Sequence, residues 1–345
     1  MQKLSSTIKL IAFISLLIFS LLFQNCGSND DAEPQYSGIV LNLLKTETEA
    51  PAKVKVFFQA EYNDGLGVSA LDTSNISIYE DDALISVFEA DRAFKDDPED
   101  FIFSTLLLLD LSGSVLNAQS LPNLKEAAIS LVQEVIPENS PGDAEMAIYW
   151  FDGEENIHLL NDFSSDTEAL INSINSITEN ISMDNSTNLN GAVVQGIDLM
   201  EDRINTLETN LKILNAGSVL IFTDGTDRAS RVTEELAINK TDSVSSSLTL
   251  FTVGLGGEIN DTVLKKYGKD GFEFADNLQN LTESFAKIAN RIKDKANSYY
   301  IFEYCSPKRA GMFNLKIDVA KDGRGGSLVS TFSADGFSGG CVIND

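Results

Sequence analysis

Two patterns of apolar and polar residues divide this chain. Through residues 36–101, short apolar runs at 39–44, 54–60, 76–79 and 84–88 alternate with polar turns such as Asn63-Asp64-Gly65 and Glu80-Asp81-Asp82, which predicts an all-β segment. From 102 to 296 the pattern becomes apolar strand, turn and amphipathic helix, repeated several times, with candidate strands at 103–109, 146–151, 218–223, 248–254 and 272–275. Leu121, Leu124, Ala128, Leu131, Val132 and Val135 share one helical face, and Leu278, Leu281, Phe285, Ile288, Ile292 and Ala296 share another. Ser165 and Glu168 have capping-box spacing ahead of Leu170, Ile171, Ile174 and Ile177. Alternating strands and helices of this kind build a mostly parallel sheet covered on both faces.

Residues 297–345 return to strand signals at 299–304, 313–319 and 328–332. Neither flank is long enough for a comfortable core of its own, but together they supply about seven strands, the count of an immunoglobulin-like sandwich. The expected fold is therefore α/β: a Rossmann-like, doubly wound, mostly parallel sheet at 102–296, inserted in an all-β immunoglobulin-like sandwich formed by 36–101 and 297–345. The alternative is a mini-domain at each end, the C-terminal one stapled by Cys305 and Cys341.

The N-terminus changes the compartment. Lys3 and Lys9 flank the start of an apolar run over 8–23, the n- and h-regions of a secretory signal. The run ends at Phe23-Gln24-Asn25-Cys26-Gly27 and resembles a bacterial lipoprotein signal, although those three residues depart from the small ones usual before the lipid-modified cysteine. The resemblance implies removal of 1–25, lipidation of Cys26, a polar tether over 26–35, and a lipid anchor to a bacterial membrane outside the cytoplasm: the outer membrane, the cell surface or the periplasmic face. An uncleaved single-span anchor places the rest of the chain outside the cytoplasm as well. Of the three cysteines, Cys305 and Cys341 remain as an even pair in an oxidising location, which predicts a disulfide; two buried thiols are the other reading.

Charge and composition remove several functions. With 25 Lys+Arg against 52 Asp+Glu the formal charge is −27, which repels phosphate backbones, so no nucleic-acid partner is expected. His158 is the single histidine, which removes Ser-His-Asp, Cys-His and His-Glu-x-x-His chemistry unless it acts alone, and points to a metal held by oxygen.

Oxygen ligands of that kind occur where the apolar strands end. In Leu109-Asp110-Leu111-Ser112-Gly113-Ser114, the aspartate and two serines alternate as a strand finishes, so an extended backbone points all three toward the carboxyl edge, where open α/β sheets bind ligands. Hydroxyls and carboxylates are hard ligands suited to Mg²⁺ or Mn²⁺. The segment resembles the start of a von Willebrand factor A domain, whose metal-ion-dependent adhesion site begins with Asp-x-Ser-x-Ser. Asn185-Ser186-Thr187 before a helix and Asp224-Gly225 after the strand at 218–223 match the family's remaining motifs in order. The resemblance implies that Ser112 and Ser114 bind the ion directly, Thr187 directly or through water, and Asp110 and Asp224 largely through water. It further implies a non-enzymatic cell-envelope lipoprotein that binds a protein ligand, whose acidic residue completes the coordination of Mg²⁺ or Mn²⁺. The alternatives are a metal-dependent hydrolase using activated water, against which His158 follows an expected edge strand and not a site loop, and an envelope-assembly scaffold in which Asp110 acts as a helix cap and the serines satisfy turn amides.

Four other features read as structure: Gly254-Leu255-Gly256-Gly257 as a turn, Asp227 as a loop carboxylate, Trp150 as core, and Lys265, Lys266 and Lys269 as a solvated helix end.

Overall fold

Five strands form the N-terminal flank: β1 (Ile39–Glu49), β2 (Lys53–Tyr62), β3 (Ile76–Glu80), β4 (Ala83–Ile85) and β5 (Arg92–Lys95). The computed structural model describes residues 38–95, 101–117, 119–136, 144–211 and 213–343. The signal, the tether and Cys26 lie outside the described residues. After the flank come β6 (Phe101–Asp110), α1 (Ser120–Val135), β7 (Ala144–Phe151), β8 (His158–Ser164), α2 (Thr167–Ser176) and α3 (Leu189–Thr206). Next are β9 (Leu214–Thr223), α4 (Glu234–Asp242), β10 (Leu248–Leu255), α5 (Asp261–Tyr267), β11 (Gly271–Ala275) and α6 (Leu281–Ala296). Then β12 (Tyr299–Cys305), β13 (Met312–Lys321) and β14 (Arg324–Ser333) complete the order.

The central sheet runs β11-β10-β9-β6-β7-β8, parallel except for the antiparallel edge strand β8. Its middle strand β6 is buried on both faces, which is why its sequence is a continuous apolar run rather than an alternation. Leu107 and Leu109 join the core beneath α1, α2 and α6, whereas Leu106 and Leu108 join the core beneath α3 and α5. From β6 the chain proceeds through α1 to β7 on one side, and through α3 it later returns to β9 on the other. The order of strands therefore reverses between β6 and β9, and the loops leaving their carboxyl ends diverge to open a crevice.

The flanks form two four-stranded sheets, β1-β2-β12-β5 and β14-β13-β3-β4, eight strands where about seven were expected. β12 enters the first sheet directly after α6 and pairs with β2 from Tyr299 opposite Gln59 to Cys305 opposite Lys53. Alternation along β2 sends Val54, Val56 and Phe58 into the sandwich core while Phe57 faces the α/β core. Phe57 packs against Phe101 and Tyr299 at ring-centroid distances of 5.5 and 6.0 Å. That aromatic contact, together with buried Lys295 donating to Glu61 and Ser298 O accepting from Ala60 N at 2.9 Å, joins the end of α6 to the sandwich.

Three local expectations are corrected. The strand expected at 84–88 stops at Ile85; Val87 and Phe88 occupy a turn, with Phe88 97% exposed, and the partner of β12 is β5, which the sequence reading missed. The cap of α2 is Asp166, whose side chain accepts from Ala169 N at 3.0 Å, rather than Ser165. Its extended backbone leaves the carboxylate facing the free amides of the first turn, and a carboxylate also complements the helix dipole. His158 opens β8 instead of following the edge strand. The disulfide is present: Cys305 at the end of β12 is bonded to Cys341, with Cα atoms 5.7 Å apart.

Candidate metal-ion site

Asp110 ends β6 and Asp224 follows β9, so the reversal of strand order places both at the mouth of the crevice. Asp110 is fully buried and its two oxygens are used differently: Oδ1 accepts from Ser112 N at 3.0 Å, and Oδ2 accepts from Thr223 Oγ1 at 2.6 Å. The first bond turns the chain out of β6. In that turn Ser112 Oγ lies 3.4 Å from Ser114 Oγ, and Ser114 Oγ donates to Asp224 Oδ1 at 2.8 Å.

Thr187 arrives on the loop ahead of α3, and the end of β7 holds that loop. Buried Asp152 accepts through Oδ2 from Ser182 Oγ at 2.7 Å and from the amides of Met183 and Asp184 at 3.2 Å, while its carbonyl accepts from Asn188 N at 2.7 Å. Asn188 in turn caps α3 by accepting from Gly191 N. Gly153 is required here, because a Cβ at that position would stand 2.0 Å from Ser186 Oγ. Thr187 lines one cleft with Ser114, Asp224, Gly225, Arg228 and Glu258, of about 340 Å³, with Asp110 and Ser112 beside it in the Asp110–Ser114 turn.

The crevice therefore gathers three hydroxyls and two carboxylates. Cis oxygens around an octahedral Mg²⁺ with bonds of 2.0–2.1 Å lie about 3 Å apart, and the two hydroxyls expected to bind directly, those of Ser112 and Ser114, stand 3.4 Å apart, near that spacing. The electrostatics agree. Burial pushes the Asp110 carboxyl up to about 7, the Thr223 bond opposes this, and the charge of Asp224 adds to it. Burial raises Asp224 too, against the hydrogen bond from Ser114 and with the charge of Glu258 adding to the rise. Burial disfavours the charged forms of both acids, a cost that a cation beside them would relieve, so the donor set fits a hard divalent ion.

Sequence reasoning missed Thr223 and Asp152. The signal was present in part: Asp152-Gly153 ends an apolar strand in the same way as Asp224-Gly225. Asp227, expected to be solvated, accepts instead from Asn190 N at 2.9 Å and Ser230 N at 2.8 Å, tying α3 to the loop after β9.

Residues 105–226 match the von Willebrand factor type A domain profile. The mouse inter alpha-trypsin inhibitor, heavy chain 4, is 23% identical over 211 residues, which is 59% of this chain and 21% of that protein, so the match spans about a fifth of the relative. Among solved structures, a von Willebrand factor type A protein from Catenulispora acidiphila superposes with TM-score 0.46 at 11% identity, covering 87% of this chain and 74% of its own. The vWF domain of the type V pili tip protein Mfa5 from Porphyromonas gingivalis gives TM-score 0.41 at 14% identity, covering 56% and 96%. On the strength of the matched residues, the chain carries a von Willebrand factor type A domain.

Proposed function

We propose that the chain is a cell-envelope lipoprotein that binds a protein ligand through a divalent-metal site made by Asp110, Ser112, Ser114, Thr187 and Asp224. Domains of this family serve protein interaction or adhesion. The observation that carries the finer reading is the convergence of Ser112, Ser114 and Asp224 at 2.8–3.4 Å beside the buried Asp110. Mg²⁺ or Mn²⁺ bound there supplies a local positive centre, open to a carboxylate of the partner, in a strongly negative protein.

The residues divide the work. Ser112 and Ser114 offer neutral hydroxyls, so little of the ion's charge is neutralised by direct ligands. Asp110 and Asp224 stand behind as anionic acceptors, each fixed by a hydroxyl donor from another part of the chain. Thr187 closes the side of the cleft, on a loop held by Asp152. Binding is preferred to hydrolysis because proteins with this domain are generally non-enzymatic interaction modules. The domain division belongs to the same reading: 102–296 as the binding domain, 36–101 with 297–345 as its stalk, 26–35 as tether, and Cys26 as anchor after removal of 1–25.

An array of peptides that differ only in Asp or Glu against Asn or Gln tests the reading. Retention of the acidic members in Mg²⁺, abolished by EDTA, is expected. Equal retention of acidic and amide peptides, or retention indifferent to EDTA, contradicts it. The anchor is tested separately by Cys26→Ala, which should release the protein from the membrane fraction.

A further inference from the structure

At the end of β7, beside the loop that carries Thr187, the chain's single histidine faces two carboxylates. His158 Nε2 lies 3.4 Å from Glu154 Oε2 and 4.0 Å from Asp152 Oδ1, and the three donor atoms all lie within 4.8 Å of one another. Neither separation is a hydrogen bond. Nε2 is shielded from solvent and has no hydrogen-bond partner, although it is the ring atom turned toward both acids. A buried polar atom left unmatched costs free energy, and in a native fold it calls for a partner such as an ordered water or an ion.

We propose that Asp152, Glu154 and His158 form a second cation site, for a borderline transition-metal ion such as Zn²⁺, distinct from the hydroxyl-rich site. The donor chemistry separates the two. An imidazole nitrogen with two carboxylate oxygens is a set that Zn²⁺ favours, and three protein ligands leave its fourth position to water. A tetrahedral ion with bonds of about 2.0–2.2 Å keeps its ligand atoms roughly 3.3–3.6 Å apart. The Glu154 separation already meets this, and Glu154, with its side chain 45% exposed, is free to adjust toward Asp152.

The other two donors are fixed. The imidazole stacks on Trp150 with ring centroids 4.1 Å apart and 19° between planes, which sets the direction of Nε2. Asp152 is anchored through Oδ2 by the donors of Ser182, Met183 and Asp184, while Oδ1 takes one amide, from Glu154 at 2.8 Å, and keeps a lone pair for the ion. This preorganisation is what a built site has and a chance meeting of surface charges lacks.

Because His158 is the only histidine, its ring signals in the NMR spectrum assign themselves. Zn²⁺ is titrated into the ¹⁵N-histidine-labelled full chain in detergent, without a polyhistidine tag. The expected result is displacement of the His158 nitrogen signals, saturating at one equivalent, with no displacement by Mg²⁺. Glu154→Gln should weaken the Zn²⁺ affinity at least about tenfold, and it avoids Asp152, whose replacement would release the loop it anchors. Ring signals that keep their metal-free positions in excess Zn²⁺, or an affinity unchanged by Glu154→Gln, overturn the proposal. Either result is independent of the site at Asp110, because the readout is His158 itself.

Discussion

Ser114 Oγ stands 2.8 Å from Asp224 Oδ1, joining the turn after β6 to the end of β9 across 110 positions of sequence. A hydroxyl and a carboxylate this close make a hard donor pair, so their chemistry can be altered one atom at a time. Ser114→Cys replaces the hard oxygen with a soft sulfur at an exposed position. Mg²⁺ affinity should fall at least about tenfold while Cd²⁺ affinity rises, with fold stability changed by less than about 0.5 kcal/mol. Competition titrations and a melting curve measure both.

Glu80 on β3 is buried in the sandwich, where its Oε1 accepts from Tyr304 OH at 3.0 Å and its Oε2 is unmatched. Burial is the main cause that raises its carboxyl above the ordinary 4.5. A raised acid stabilises the fold fully below its unfolded value, and that stability is lost as pH rises through the folded value. Glu80→Gln should therefore gain stability relative to the parent at pH 8 and show less or no gain at pH 4. Denaturant melts of both proteins at the two pH values check the sign.

The Cys305–Cys341 disulfide closes a 36-residue separation that contains the β13–β14 hairpin. Chain-entropy arguments give such a link about 4 kcal/mol. Cys341→Ser should lower the urea midpoint accordingly, and a reductant should do the same to the parent but leave the variant unchanged.

Gly67 lies where the loop after β2 meets the end of α6, and a Cβ there would stand 2.1 Å from the carbonyl oxygen of Asp294. That neighbour is backbone and cannot rotate away. Gly67→Ala should cost about 1–3 kcal/mol, measured by denaturant unfolding, whereas Gly257→Ala, with open space around it and no left-handed backbone, should not show that cost.

The sequence was most readable where one physical demand dominated. The apolar run of β6 and the alternating Asp110, Ser112 and Ser114 reflect burial on both faces and an extended exit, both local in sequence. Cysteine parity was enough to expect the disulfide. The four residues of β5 carry two cationic side chains and have no distinctive pattern; only pairing with β12, more than 200 positions away, makes them a strand. Val87 and Phe88 misled because an apolar run is read as buried, while here both sit exposed in a turn. Asp152 looked unremarkable because its bonds reach 30 residues ahead to the loop carrying Thr187. His158 was expected to follow an edge strand outside any site loop, and its place beside Asp152 and Glu154 depends on how β7 and β8 pair.

Calorimetric titration of Mg²⁺ and Mn²⁺ into the metal-stripped full chain, beside Asp224→Ala, tests the central claim most directly. The account predicts saturable binding of one ion that disappears in the variant. Heats that are identical in the two proteins, or no saturable binding in either, would contradict it.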